Sequence, residues 1–148
     1  MKKRIVSIVL VLALAVCVFP FSAFADSSDD TLQPFYYDEK VMHFYGASNH
    51  YYRISYNDMV GYNHIETGDP VKVCQAFINA VFLKYSQNTG NGVTLIDVDG
   101  IWGPTSEEAL REAQSICGVT RDGVCGPNTW KALRTYAGGI TSTVKSYL

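Results

Sequence analysis

The sequence predicts a small, mainly α-helical domain: a three-helix bundle preceded by a tyrosine-rich β-hairpin. Three observations point to it. Three segments carry apolar residues at three- and four-residue spacing, and each is bounded by a proline near its start and a glycine at its end. The pattern Asp-Gly-apolar-x-Gly-Pro occurs twice, as "DGIWGP" from Asp99 and "DGVCGP" from Asp122, each time ahead of a helical run. Upstream, residues 35–62 concentrate aromatic side chains around the Gly/Asn stretch "GASN".

In chain order, "MKKR" followed by a long apolar run and "SAFA" has the form of a secretory signal, with cleavage expected after Ala25. A retained membrane anchor is the competing reading, disfavoured by Pro20 and the small-residue site. A lipid-modified Cys17 is disfavoured by Val16 beside it. Loss of residues 1–25 removes Lys2, Lys3 and Arg4 but no acid, which lowers the formal charge of −2 by three units. An acidic chain without a basic stripe excludes nucleic acid as a partner, and no membrane association is expected after signal removal. Residues 26–34, "DSSDDTLQP", read as a flexible acidic leader.

Residues 35–65 form the hairpin segment. "VMHFY" and "HYYRISY" alternate about the turn, placing Tyr52, Ile54 and Tyr56 on one face and Tyr51, Arg53 and Ser55 on the other. The bundle follows over 66–138. Asp69 is the expected cap of the first helix, with Pro70 in its first turn and Val71, Cys74, Ile78, Val81 and Tyr85 on an apolar face. Pro104 opens the second helix, with Ala109, Leu110, Ala113 and Ile116 inward and Glu107 and Glu108 at its positive end. Pro127 opens the third, with Trp130, Leu133 and Tyr136 inward. Each Asp-Gly pair supplies a tight turn, after which Ile101 or Val124 is expected to enter the core. Residues 139–148 are an uncommitted tail.

Export makes a disulfide expected among Cys74, Cys117 and Cys125. Cys117–Cys125 would close a short loop, with Cys74 a free buried thiol. Cys74–Cys117 is the competing pair.

The residues from "DPVKVCQAFIN" to "GPNTWKAL" resemble the peptidoglycan-binding domain found beside many bacterial cell-wall hydrolases. Val71, Cys74, Gln75, Ile78 and Asn79 fill the first part of that family's pattern. Asp99, Gly100, Gly103, Ser106, Ala109, Leu110 and Gln114 fill the second; Gly118, Val119, Asp122, Gly123, Gly126, Thr129 and Trp130 fill the third. Departures are Cys74 for the usual Leu, Ser106 for Thr and Ala113 for the commoner Phe.

The resemblance implies an exported, non-catalytic wall-binding module that is secreted or wall-associated, with peptidoglycan as partner. A cell-wall hydrolase or another secreted protein is a further partner class. The alternative is an interaction module of the same fold that binds a partner protein through the tyrosine-rich segment. No enzyme is expected: His43, His50 and His64 lack metal-ligand spacing, and no paired carboxylates or Cys-His arrangement stand out. Neither a metal nor a cofactor is expected. A receptor for wall peptide and sugar needs aromatic faces and a few polar donors. The candidates near the loops are Trp102, Arg121, Asn128 and Trp130.

Overall fold

The computed structural model describes residues 41–148. The expected signal, the acidic leader and the aromatic residues Phe35, Tyr36 and Tyr37 lie outside them. The described chain is mainly helical behind an antiparallel hairpin: β1 (Val41–Tyr45), β2 (Tyr51–Ser55), α1 (Asp69–Thr89), α2 (Pro104–Cys117), α3 (Pro127–Ala137) and α4 (Ser142–Ser146). Among the described residues no helix is long and apolar enough to cross a membrane.

Strict alternation sets the hairpin register, with Met42 opposite Ile54 and Phe44 opposite Tyr52. Those four side chains are buried, the Phe44 and Tyr52 rings stacking at 5.4 Å. The reverse turn is closed by the Gly46 N–H donating to the His50 carbonyl at 3.0 Å, with Asn49 left-handed at φ 61°. His43, Tyr45, Tyr51 and Arg53 form the outer face. There His43 Nδ1 bonds the Tyr51 hydroxyl at 2.6 Å, so His43 and His50 do not meet across the strands.

The buried hairpin face packs on α1, which also contacts α2, α3 and α4. That central position explains why α1 is buried well beyond the single apolar face expected of it. Every residue from Val73 to Phe82 is buried, while Tyr85, on the expected face, is only half-covered. Its cap differs from expectation as well. Gly68 occupies the N-cap, and the Asp69 carboxylate instead receives His50 Nε2 at 2.8 Å, joining hairpin turn to helix start. The tail beyond Ala137 is ordered into α4. Thr141 Oγ1 caps it by accepting the Val144 N–H, and Val144 and Leu148 are buried. The Leu148 carbonyl accepts the Tyr52 hydroxyl at 3.2 Å.

Two buried carboxamides organise the repeated motif. Gln75 of α1 donates through Nε2 to Asp99 Oδ1 (2.9 Å), the Ile101 carbonyl (3.1 Å) and Ser106 Oγ (3.1 Å), and its Oε1 accepts the Gly100 N–H (2.9 Å). Gln114 of α2 repeats the arrangement on Asp122 (2.7 Å), the Val124 carbonyl (3.0 Å), Thr129 (3.2 Å) and the Gly123 N–H (3.0 Å). Gly100 and Gly123 sit at φ +78° and +77°, a conformation costly for any side chain, and so present their N–H groups to the glutamines. Asn79 clamps the preceding loop in the same style, exchanging two bonds with the Ile96 backbone.

The turns point outward the residues expected inside. Ile101 is 61% exposed and Val124 is half-buried, whereas Trp102 and Cys125 are buried. Backbone alternation explains the inversion: with the carbonyls of Ile101 and Val124 held by glutamine amides, the next side chain in each unit faces the core.

The expected Cys117–Cys125 disulfide is not formed, nor is the competing Cys74–Cys117 bond; all three thiols are free. The same alternation turns Cys125 inward against Cys74, while Cys117, ending α2, stays half-buried elsewhere.

Two predictions follow from the glutamine clamps. Gln75→Ala strands the Gly100 N–H and the Ser106 hydroxyl in the interior, which costs about 3 kcal/mol of unfolding free energy; urea denaturation measures it. The second concerns acid. The Ile101 N–H and then the Gln75 amide hold the Asp99 carboxyl below its ordinary pKa. Burial opposes ionisation of Asp122, but the Val124 N–H and the Gln114 amide outweigh it, and its pKa is lowered too. A folded pKa below the unfolded one stabilises the fold above pH about 4 and loses that contribution as pH falls through the folded value. The melting temperature should drop between pH about 4 and 2, and more shallowly in an Asp99→Asn/Asp122→Asn variant.

Candidate ligand-binding groove

The second Asp-Gly unit builds a groove of about 830 Å³ on the surface. One wall is the end of α2 and the loop after it, including Cys117, Val119 and Thr120. The other is a face of α3 with Asn128, Lys131, Ala132, Thr135 and Tyr136 at three- and four-residue spacing, and Met59 contributes from the connector after β2. Trp130, Leu133 and Ala137 occupy the inward side of the same helix, so core and groove are two faces of α3.

The lining mixes apolar surface from Val119, Val124, Ala132 and the Tyr136 ring with the Asn128 amide, the Thr120 and Thr135 hydroxyls and the Lys131 ammonium. No acid lies in the first turn of α3, whose positive end adjoins the groove; α2 carries Glu107 there. Helix dipole and Lys131 together favour an anionic group, and the amide and hydroxyls suit a peptide backbone or sugar hydroxyls. Asp122 also lines the groove, but its carboxylate is engaged by Gln114 and the Val124 N–H.

Of the four residues picked from the sequence, the structure brings Asn128 to the groove. Arg121 is exposed between two groove residues, Thr120 and Asp122, and its carbonyl accepts Arg111 Nη1 at 3.0 Å. The tryptophans are corrections. Trp130 is fully buried, its indole N–H donating to the Asp58 carbonyl at 2.7 Å and its ring edge-on to Phe77 at 6.4 Å. Trp102 is 5% exposed, with an unpaired indole N–H. Neither ring presents a face to a ligand, because each follows its turn at a position the glutamine clamp directs inward or onto the helix's core side. Lys131 and Tyr136 were missed as groove residues. Their spacing from Asn128 on the side of α3 away from Trp130 was the available signal.

The titratable groups are otherwise occupied. Burial pushes the Cys117 thiol up to about 11, leaving it protonated and a poor nucleophile. His43 is bonded to Tyr51 and His50 to Asp69. Among the described residues no cluster of three His, Cys, Asp or Glu side chains is placed to hold a metal ion.

Comparisons with known proteins agree with this geometry. Residues 67–133, a little under half the chain, match the family described as "Putative peptidoglycan binding domain". No curated protein matches the chain. Among solved structures, a peptidoglycan-binding protein from Clostridioides difficile, in complex with glutamine hydroxamate, is similar at 22% identity and a TM-score of 0.45. The similarity covers 65% of this chain and 58% of that one, so this chain spans less than two thirds of that protein's length. Residues 67–133, holding both glutamine clamps and most of the groove, are a domain of the peptidoglycan-binding family.

Proposed function

We propose that the chain is an exported, non-catalytic module that binds peptidoglycan, secreted or held at the cell wall, and that the groove beside α3 is where it does so. The carrying observation is that a groove with one cation, an amide and two hydroxyls over an apolar floor lies inside the family-matched segment. Wall stem peptides present carboxylates and amides, and wall glycan presents hydroxyls around apolar ring faces. Lys131 takes a carboxylate, Asn128 bridges a peptide amide, and Tyr136 supplies an apolar face. Arg121, at the groove's loop, adds a second cation at its edge. The N-terminal residues 1–25 support export. The engaged histidines and the protonated Cys117 support binding without catalysis.

A second reading is favoured by one observation on the hairpin. Tyr45 and Tyr51 are 51% and 45% exposed with ring centroids 5.1 Å apart, beside Arg53 on the same face. Such a face suits a partner protein, a wall hydrolase or another secreted chain, because tyrosine offers contact area at low entropic cost.

Sedimentation with purified insoluble peptidoglycan separates these readings. Losing one charge-assisted bond costs about 1.5–3 kcal/mol, so Lys131→Glu should weaken wall binding about tenfold or more without lowering the melting temperature. A Tyr45→Ala/Tyr51→Ala variant should sediment like the parent chain. If instead the tyrosine variant is the one released, the groove is not the site. A fall in turbidity of the wall suspension would sink the non-catalytic reading.

A further inference from the structure

Two of the free thiols are together. Cys74 lies in the middle of the buried stretch of α1, Cys125 follows the second Asp-Gly turn, and both are 0% exposed in the same hydrophobic core. Their thiols are within hydrogen-bonding contact of each other, separated in sequence by the whole of the first motif and α2. Both backbones are fixed. Cys74 is held by helix bonds near the start of the longest helix, and Cys125 is clamped in both directions to Val60, N–H to carbonyl at 2.8 Å and carbonyl to N–H at 3.2 Å. Cys117 sits apart on the groove wall, with burial alone acting on its thiol.

We infer that Cys74 and Cys125 are a latent cross-link, oxidised to a disulfide when the chain folds in an oxidising compartment, with Cys117 left as the free thiol. One cysteine, as thiolate, displaces a sulfur from a small-molecule or protein disulfide to form a mixed disulfide, and the other cysteine then attacks that bond. Two S–H bonds are lost and one S–S bond forms; two electrons and two protons pass to the oxidant, which leaves as two thiols. The order of events is set by burial. In the finished core neither sulfur is reachable by an oxidant, so the bond forms while α1 is docking against the second motif. Once formed it is shielded from reductants in the same way.

The bond would tie α1 to the loop whose next residue outward, Val124, lines the groove, fixing that wall against the central helix. This inference rests on export but not on wall binding, and the experiment reads covalent linkage only, so either reading can fail alone.

The test is refolding of the full chain from denaturant in a mixture of reduced and oxidised glutathione, followed by acid quench, alkylation in denaturant and tryptic peptide mapping. The expected result is peptide 73–84 joined to peptide 122–131, two hydrogens lighter than the sum of the two thiol peptides, with peptide 112–121 alkylated at Cys117. Cys117→Ser should leave that linkage intact. Recovery of 73–84 and 122–131 as separately alkylated or glutathionylated peptides, or of either one joined to 112–121, overturns the proposal.

Discussion

The fold depends on two buried carboxamides. Each Asp-Gly turn exposes more hydrogen-bonding capacity than it can satisfy itself: a carboxylate, a glycine N–H and a carbonyl, all pressed against a helix. A glutamine is the right length and carries both a donor and an acceptor, so one side chain answers the whole set, and it adds the hydroxyl at the start of the next helix. The two clamps form a relay. Gln75 of α1 fixes the turn that starts α2, and Gln114 of α2 fixes the turn that starts α3. Orientation is therefore passed down the chain by polar contacts within an apolar core. Such contacts are unforgiving, because a half-satisfied network costs more than an apolar one of the same shape. This is the physical content of the repeated motif.

Much of this was legible in the sequence, and the reasons for the rest are specific. Helix boundaries were readable because Pro70, Pro104 and Pro127 sit in first turns and Gly90, Gly118 and Gly138 close the ends in left-handed geometry. The hairpin was readable because period-two alternation survives even when both faces are aromatic. The clamps were not. Gln75 contacts Asp99 across 24 positions and Gln114 contacts Asp122 across 8, so no shared sequence spacing reveals that they do the same thing. A glutamine on an apolar helix face reads as a surface residue until its partners are known. That omission produced the next error. Without the glutamine holding the carbonyls of Ile101 and Val124, the first apolar residue after each turn seems the natural core anchor, and the inward positions of Trp102 and Cys125 go unnoticed. The disulfide expectation failed for the same reason, since it assumed that a short loop keeps Cys125 near Cys117, when the inward register turns it toward α1.

The tyrosine-rich segment divides along its alternation. Its inner residues complete the core over α1 and reach the far end of the chain, where Tyr52 holds the Leu148 carbonyl. Its outer residues remain on the surface. A two-stranded ribbon is marginal alone in water. Here it is secured by the stacked Phe44–Tyr52 pair, by the His50–Asp69 contact to α1, and by Arg134 of α3 donating to the Tyr56 hydroxyl at 2.8 Å. The hairpin is thus a structural cover for the central helix that leaves one aromatic face available.

The groove's location follows from how the two motif units differ, not from what they share. Both create a turn, a clamped carboxylate and a helix start. In the first unit the new helix begins with Glu107 and Glu108, and Glu107 pairs with Arg111 at 2.9 Å, so its positive end already has its anion. Arg111 then crosses to the second unit, bonding the Arg121 carbonyl and lying against Gly123, where a side chain would meet its guanidinium at 3.0 Å. The second loop is thereby braced from behind. Its helix, α3, starts with Pro127, Asn128 and Thr129 and brings no acid, so the positive end and Lys131 are left facing solvent across the groove. The chain is acidic as a whole, and long-range attraction cannot gather an anionic polymer to it. A local site where the dipole, one ammonium and neutral hydrogen-bonding groups converge is the arrangement by which such a chain holds a carboxylate-bearing ligand at short range. Duplication supplied two equivalent turns, and the loss of acids from one of them left a place to bind.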